Sequence, residues 1–147
     1  MIRLSAKRTS INMISTVPNQ GKVRFMMYQD TMSAQILIKF MKQLIKGADR
    51  KIFLILDNLR VHHAKPVNDW VATHRKAITL FYLPSYSPEL NPDEYLNGDL
   101  KADVHSRPPS RSPKHLIKKV KAHMVKLQKL PARVRRYFKH PNIAYAA

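Results

Sequence analysis

The chain has 147 residues, of which 44% are hydrophobic, so it can bury one sizeable core. We therefore expect one domain with at most an appendage. Its 27 Lys and Arg against 9 Asp and Glu give a formal net charge of +18, which favours nucleic acid as a partner, with an anionic membrane surface as the alternative. The lack of Cys excludes disulfides and thiolate metal sites, and no apolar run suits a signal peptide or a membrane span, so we expect a soluble, cytoplasmic protein.

The first third of the chain predicts a hairpin and a helix. Ile11–Val17 and Lys22–Gln29 have the composition of strands, and "PNQG" between them is typical of a turn. In "TMSAQILIKFMKQLIKG", apolar residues recur at helical spacing across 36–45, with Ser33 or Thr31 as the expected N-cap. The change of period marks the change from strand to helix.

The middle of the chain predicts further strands and helices in alternation. Ile52–Leu56 is a run of five apolar residues without alternation, which indicates a strand buried on both faces. Pro66 suits the first turn of a helix, Ala77–Pro84 has the composition of a strand, and a turn leads to another helix near Asn91. This order is typical of a mixed α/β sheet flanked by helices.

The C-terminal third changes composition twice. Ser106–Pro113 has the sequence "SRPPSRSP", which is typical of a linker. Beyond it, "KHLIKKVKAHMVKLQKL" predicts a basic amphipathic helix that Pro131 ends. We therefore expect a domain in residues 1–105, a linker in 106–113 and a basic helical tail in 114–147.

Asp57 is the first candidate for chemistry, because it directly follows the apolar strand. In open α/β sheets, ligands bind beyond the carboxyl ends of the strands. The alternative is that Asp57 and Asn58 only form a turn, since both residue types accept local backbone hydrogen bonds.

Glu94, in "LNPDEYL", is the second candidate. Asn91 as N-cap, Pro92 at the first helical position and Glu94 at the third form the pattern of a capping box, which explains the acid without any metal. The other interpretation joins Glu94 to Asp57, because two carboxylates and substrate phosphates suit a hard cation such as Mg²⁺. The positive surface would then hold DNA.

Two longer segments carry a family resemblance. "LILDNLRVHHAK" followed by "LPSYSPELNPDEYLNGDLK" resembles the catalytic domain of DDE transposases, in the bacterial mariner-like group of insertion-sequence enzymes. The resemblance extends to "INMISTVPNQGKVRFMMYQDTMSAQ" and to "LPARVRRYF", so it covers nearly the whole chain. It implies a ribonuclease-H-like fold and Mg²⁺- or Mn²⁺-dependent cutting and joining of DNA, without a covalent enzyme intermediate.

The resemblance also implies partners and site residues. DNA, as transposon ends and target, is the implied partner, the implied location is the nucleoid, and a homodimer is left open. By motif, Asp57 matches the second metal-binding carboxylate and Glu94 the third. The surrounding signature, which is expected to shape the site, is matched by Asn58, Tyr86, Ser87, Pro88, Asn91 and Pro92.

The chain departs from the family at the first carboxylate. In the family, that Asp lies on a strand before the hairpin, and no residue before Ile11 is acidic here. Asp30 is the nearest acid, but it follows the third strand of the resembling fold. We therefore expect a truncated domain without the first strand and the upstream helix-turn-helix region. The loss of that strand would expose an edge of the sheet, which we expect to pair with another strand or chain.

The histidines and the basic tail each allow two interpretations. His62 and His63 are adjacent and have no partner at metal-ligand spacing, so we expect surface or loop residues, with His62 touching DNA or supporting Asp57. The basic residues of the tail either solvate a helix or, as the net charge favours, bind phosphate; they are Lys118, Lys119, Lys121, Lys126, Lys129, Arg133, Arg135 and Arg136.

Three functions follow from the sequence. The first is a DDE transposase catalytic domain with Asp57 and Glu94 as metal ligands. The second is a non-catalytic, DNA-binding or dimerising remnant, which the missing first carboxylate favours for this chain. The third, an unrelated basic α/β protein whose acids only cap helices, makes the motif match a coincidence.

Overall fold

The computed structural model describes residues 2–6, 9–29 and 31–147. Of these, residues 2–6, 9 and 10 are described by their backbone alone. Contacts group the chain into two compact units: the first unit is Met1–Asp30 with Pro92–Ala147, and the second unit is Thr31–Asn91. In the described ranges, no helix combines the length and the apolar character needed to cross a bilayer. The strands and α-helices, in chain order, are β1 (Ile2–Ala6), β2 (Thr9–Thr16), β3 (Arg24–Tyr28), α1 (Ala34–Lys46), β4 (Ile52–Leu56), α2 (Lys65–Thr73), β5 (Ile78–Tyr82), α3 (Asp93–His105), α4 (Pro113–Gln128) and α5 (Pro131–Arg135).

The first unit contains an antiparallel sheet in the order β1-β2-β3. β2 and β3 are the predicted hairpin. No strand is expected before Ile11 from the sequence, whereas every residue of β1 pairs with β2 in the structure. β2 therefore has a hydrogen-bonded strand on each side, and one flank of the hairpin that was expected to be exposed is covered by backbone pairing.

α4 belongs to the core of the first unit. Its predicted apolar stripe is fully buried, and the helix packs against β2 and α3. Because α3 and α4 share one core, the predicted boundaries at 105–106 and 113–114 do not coincide with the two units. The buried cluster consists of Ile11, Met13, Val23, Leu96, Leu100, Val104, Leu116, Val120, Met124, Leu127 and Val134.

The second unit consists of α1 and α2 with a parallel strand pair, β4 and β5. α1 has its predicted N-cap, because Ser33 Oγ accepts a hydrogen bond from the Ile36 amide at 3.3 Å. Among the described residues, the strands are hydrogen-bonded in two separate sheets, where the sequence predicts one mixed sheet. The mixed α/β class is confirmed in both units.

β4 differs from its prediction in burial. Leu54 is 8% exposed, but its neighbours Phe53 and Ile55 are 64% and 41% exposed. Successive strand residues point to opposite faces, so one face of the β4–β5 pair is buried and the other is exposed. Phe81 of β5, the register partner of Ile55, is 50% exposed on the same face. The prediction of a strand buried on both faces is therefore wrong, because an unbroken apolar run does not reveal how many faces are covered.

Candidate active site

Asp57 lies directly after β4, at the carboxyl end of the parallel strand pair, and is partly buried. Its Oδ1 accepts a hydrogen bond from Asn91 Nδ2 at 2.8 Å. Its backbone carbonyl oxygen accepts another from His62 Nδ1 at 2.6 Å, which makes Nδ1 the protonated ring nitrogen. Asn91, 34 positions along the chain, therefore binds the side chain of Asp57, and His62, five positions along, binds its backbone. Both partners lie beyond the residues of a local turn.

Further contacts join the loop after β4 to the loop after β5. Asn58 Nδ2 donates to Ser85 Oγ at 2.9 Å, and Asn58 Oδ1 contacts His63 Nε2. The His63 ring stacks on Tyr82, with centroids 4.1 Å apart. The "LDN" and "SYSPELN" segments, which carry the family resemblance, therefore meet at the edge of the sheet where open α/β folds bind ligands.

His62 and His63 differ in burial. Both lie in the short 3-10 turn Arg60–His63, as expected of loop residues, but His62 is only 3% exposed while His63 is exposed. His62 is therefore a loop residue, which was one of the two expectations, but it is buried and not at the surface, and it contacts the backbone of Asp57. Burial lowers the pKa of the His62 imidazole, against smaller raising effects from the hydrogen bond and the charge of Asp57.

We expect the protein to lose stability as the pH falls through about 6.5, the ordinary pKa of histidine. The unfolded chain takes up a proton there, whereas the folded chain, with the lowered pKa of His62, does so only at lower pH. Urea unfolding should therefore give a smaller free energy at about pH 5.5 than at about pH 7.5, and His62→Gln should reduce this difference. His63→Gln is the matched control, and an unchanged pH dependence in His62→Gln would contradict the expectation.

Glu94 lies in the first unit as the second residue of α3, and it is exposed. The helix begins at Asp93 with Pro92 as its N-cap, so it starts one residue later than the sequence predicts. Pro92 makes no side-chain capping hydrogen bond. The two acids of the first turn still favour the positive end of the helix dipole, as expected.

Asp93, beside Glu94, connects α3 to the sheet. It is 7% exposed, and its Oδ1 accepts a hydrogen bond from Ser15 Oγ in β2 at 2.5 Å. Hydrogen bonds to a charged acceptor are about twice as strong as neutral ones. The contact therefore fixes the start of the helix that carries Glu94.

Ser15→Ala should lower the free energy of unfolding by about 1.5–3 kcal/mol, because it removes a hydrogen bond to a buried carboxylate. Urea unfolding monitored by circular dichroism measures the loss. Asp93→Asn keeps an acceptor for Ser15 and should be less destabilising. A Ser15→Ala protein as stable as wild type would show that this bond does not anchor α3.

Farther along α3, Asp99 is bound by the C-terminal segment. Arg133 Nε donates to Asp99 Oδ2 at 3.0 Å, its Nη2 contacts the other oxygen, and the Tyr137 hydroxyl contacts Oδ2. Burial opposes ionisation of Asp99, but the hydrogen bonds from Arg133 and Tyr137 outweigh it and lower the pKa of the carboxyl. Arg133, predicted to bind phosphate, is thus engaged in an ion pair that was not predicted, since the partners lie 34 residues apart in the sequence.

The two predicted metal ligands are assigned to different units of the fold. Within the part of the chain that the structure describes, no group of three or more His, Asp or Glu side chains could hold a metal ion. Asp57 and Glu94 belong to different units, and Asp30 lies outside the described residues. The carboxylates of Asp57 and Glu94 fit a hard divalent cation in their chemistry, because Mg²⁺ takes one or two protein carboxylates and completes its shell with water and substrate phosphates.

Comparisons with known proteins support the family resemblance. Residues 2–117 match the family described as DDE superfamily endonuclease. The catalytic domain of Mos1 mariner transposase is similar in fold, with a TM-score of 0.67 and 15% identity over 94% of this chain and 74% of that chain. The Mos1 catalytic domain with raltegravir and Mn has a TM-score of 0.67 and 16% identity, over 99% of this chain and 79% of that chain.

A third similar structure comes from a simian T-cell lymphotropic virus intasome in complex with PP2A regulatory subunit B56 gamma. It has a TM-score of 0.63 and 17% identity, and the match covers 81% of this chain and 44% of that chain. No curated protein sequence matches the chain. At these identities the structural matches show the fold alone, and they confirm the ribonuclease-H-like fold that the resemblance implies.

Proposed function

Because the chain belongs to the DDE superfamily endonuclease family, we propose that it is a transposase catalytic domain that cuts and joins DNA strands with a divalent metal ion. The observation that carries this proposal is the hydrogen bond from Asn91 to Asp57, which brings together the two segments of the family signature. The Mos1 catalytic domain has been solved with Mn and with Mg, which supports Mn²⁺ or Mg²⁺ here. Membership of the bacterial mariner-like insertion-sequence group stays part of the proposal.

In this proposal Asp57 and Glu94 are the protein's metal ligands. The ion, when bound, would activate the attacking oxygen and neutralise charge on the cleaved phosphate. Asn91 keeps the Asp57 carboxylate in one orientation, and His62 fixes the backbone from which that carboxylate projects. Ser15 and Asp93 fix the helix start from which Glu94 projects.

α4 offers a surface for the DNA. One side of this helix is buried in the core, and the exposed residues of the helix include Lys114, Lys118, Lys121 and Lys126. Lysines that neutralise phosphates release counterions and favour binding at low salt. DNA ends and target DNA as partners, location in the nucleoid and a homodimer belong to the same proposal.

The lysines of α4 also support a second candidate, a catalytically incomplete chain that binds DNA without cutting it. Phosphate binding by these lysines requires neither Asp57 nor Glu94. From the sequence we expect no acidic residue at the first position of the family's metal site, and this candidate needs none.

Nicking of supercoiled plasmid distinguishes the two candidates. Protein shown by circular dichroism to be folded would be incubated with Mn²⁺ or Mg²⁺, and with EDTA as the control, while DNA binding is measured over a series of salt concentrations. Cleavage that needs the metal supports the first candidate. Folded protein that binds DNA with a steep salt dependence, yet leaves the plasmid intact with both metals, contradicts the first and supports the second.

A further inference from the structure

Tyr86 has an unusual backbone and an unusual side chain. Its φ is +55°, which makes it the one non-glycine residue with positive φ among the described residues. Aromatic side chains rarely adopt this left-handed conformation, because their Cβ approaches the following carbonyl oxygen. The side chain is 101% exposed, so the chain offers it no packing in return.

The loop that carries Tyr86 is anchored on both sides of it. Ser85, the preceding residue, accepts a hydrogen bond from Asn58, and Asn91, at the end of the loop, donates to Asp57. Ser87, the following residue, donates from its hydroxyl to the Ser85 carbonyl oxygen at 3.3 Å. Tyr86 is therefore presented from a fixed loop, one residue from a contact with the segment that contains Asp57.

A strained backbone with a fully exposed ring is consistent with a contact that the isolated chain does not make. DNA bound beside Asp57 would offer the Tyr86 ring one kind of flat surface, the face of a nucleobase. Aromatic side chains stack on unpaired bases whatever their sequence, because every base has a π-face. Paired bases in a duplex are already stacked on their neighbours and do not offer such a face.

We propose that Tyr86 stacks on an unpaired base of the DNA strand bound beside Asp57. This inference rests on the proposed function and specifies the form of its substrate: DNA with single-stranded nucleotides at the end that enters the site. Tyr86 is then a positioning residue, which holds the strand end while other groups act on the phosphate.

The test is binding, measured in EDTA so that no cleavage is involved. The probes are a blunt DNA duplex and the same duplex with a short single-stranded overhang that carries 5-iodouracil, a base that cross-links to stacked aromatic residues under ultraviolet light. Tyr86→Ala should weaken binding of the overhang duplex roughly 5- to 150-fold, the range for loss of one stacked base. Binding of the blunt duplex should change less than about twofold, and the wild-type cross-link should map to Tyr86.

Three further variants separate stacking from other causes. Tyr86→Phe keeps the ring and should bind the overhang within about twofold of wild type. Tyr86→Gly removes the ring but suits the left-handed backbone, so its loss of overhang binding cannot come from misfolding. Tyr145→Ala removes another exposed tyrosine, in the first unit, and should change nothing.

Equal weakening of blunt and overhang duplexes by Tyr86→Ala, no weakening at all, or a cross-link at another residue would each overturn the inference. The proposed function fails separately, through absence of metal-dependent nicking. A protein that never cuts DNA, but binds overhangs through Tyr86, would sustain this inference while refuting catalysis.

Discussion

Asp57→Asn and Glu94→Gln should each reduce metal-dependent plasmid nicking at least about a thousandfold, equivalent to about 4 kcal/mol of transition-state stabilisation. Each change replaces a carboxylate oxygen that is proposed to bind the ion by a neutral amide of the same shape. The fold should be unaffected, because Glu94 is exposed and the amide oxygen introduced by Asp57→Asn can still accept the hydrogen bond from Asn91. Gel quantification of nicked plasmid over time measures the rates.

Two exposed acids provide matched controls for this experiment. Asp69→Asn removes a carboxylate from α2, where Asp69 forms an exposed ion pair with Lys65 at 3.4 Å, and Glu89→Gln removes one from the loop after β5. Both should cut DNA at the wild-type rate. Both site variants should still bind DNA, with equal or slightly higher affinity, because they remove negative charge from a phosphate-binding surface. Cleavage that survives in Asp57→Asn or Glu94→Gln would refute the assignment of that residue.

Loss of cleavage in both site variants would raise the question of a third carboxylate. Asp30→Asn is the next variant in that case, since Asp30 is the acid nearest to the position at which the family has its first. A working site that needs Asp30 would correct the expectation that the chain is catalytically incomplete.

Gly21→Ala should destabilise the protein by about 2–5 kcal/mol and lower its melting temperature by on the order of 10 °C. Gly21 has a φ of +88°, which an alanine adopts only with strain. A Cβ there would lie 2.3 Å from the Pro131 carbonyl oxygen and 2.9 Å from its Cα. Because both atoms belong to the backbone, the β2–β3 turn or the start of α5 has to move. Thermal unfolding followed by circular dichroism measures the shift.

Gly98→Ala is the matched control for that substitution. Gly98 lies within α3 and is exposed, and a Cβ there would meet nothing within 4 Å. Since Ala is the better helix former, this change should stabilise the protein by about 0.5–1 kcal/mol. The same chemical change thus has opposite signs at the two positions. A Gly21→Ala protein that melts at the wild-type temperature would contradict the close approach of Pro131 to the turn.

The sequence predicted those elements whose turn residues or hydrophobic periodicity lie within one short segment. The β2–β3 hairpin, the Ser33 cap and the apolar stripe of α4 were all visible as turn residues or as periodicity. β1 could not be recognised in this way, because its sequence has no strong strand pattern and the strand is defined by its pairing with β2. The burial of β4 was predicted wrongly for a related reason, since an apolar run does not show whether helices cover one face or two.

The candidate site was predictable to the extent that motifs carried it. The sequence placed Asp57 and Asn91 in one family signature, whereas the hydrogen bond that joins them became visible only in the structure. The burial of His62 had no local signal, because it depends on the packing of a 3-10 turn. The pairing of Asp99 with Arg133 joins residues on different helices, and no short-range pattern encodes it.

The division into units has a consequence for how the chain is made. The first unit is assembled from both ends of the sequence, and the second unit is a continuous segment between them. At ribosomal rates of about 5–20 residues per second, β2 and β3 emerge roughly 5 to 20 seconds before the part of α4 that covers them. By the end of that interval the second unit has also emerged, while the apolar side of the sheet, with Met13, still has no helix to cover it. The nascent N-terminal sheet is therefore the point at which we expect chaperones to bind and aggregation to begin.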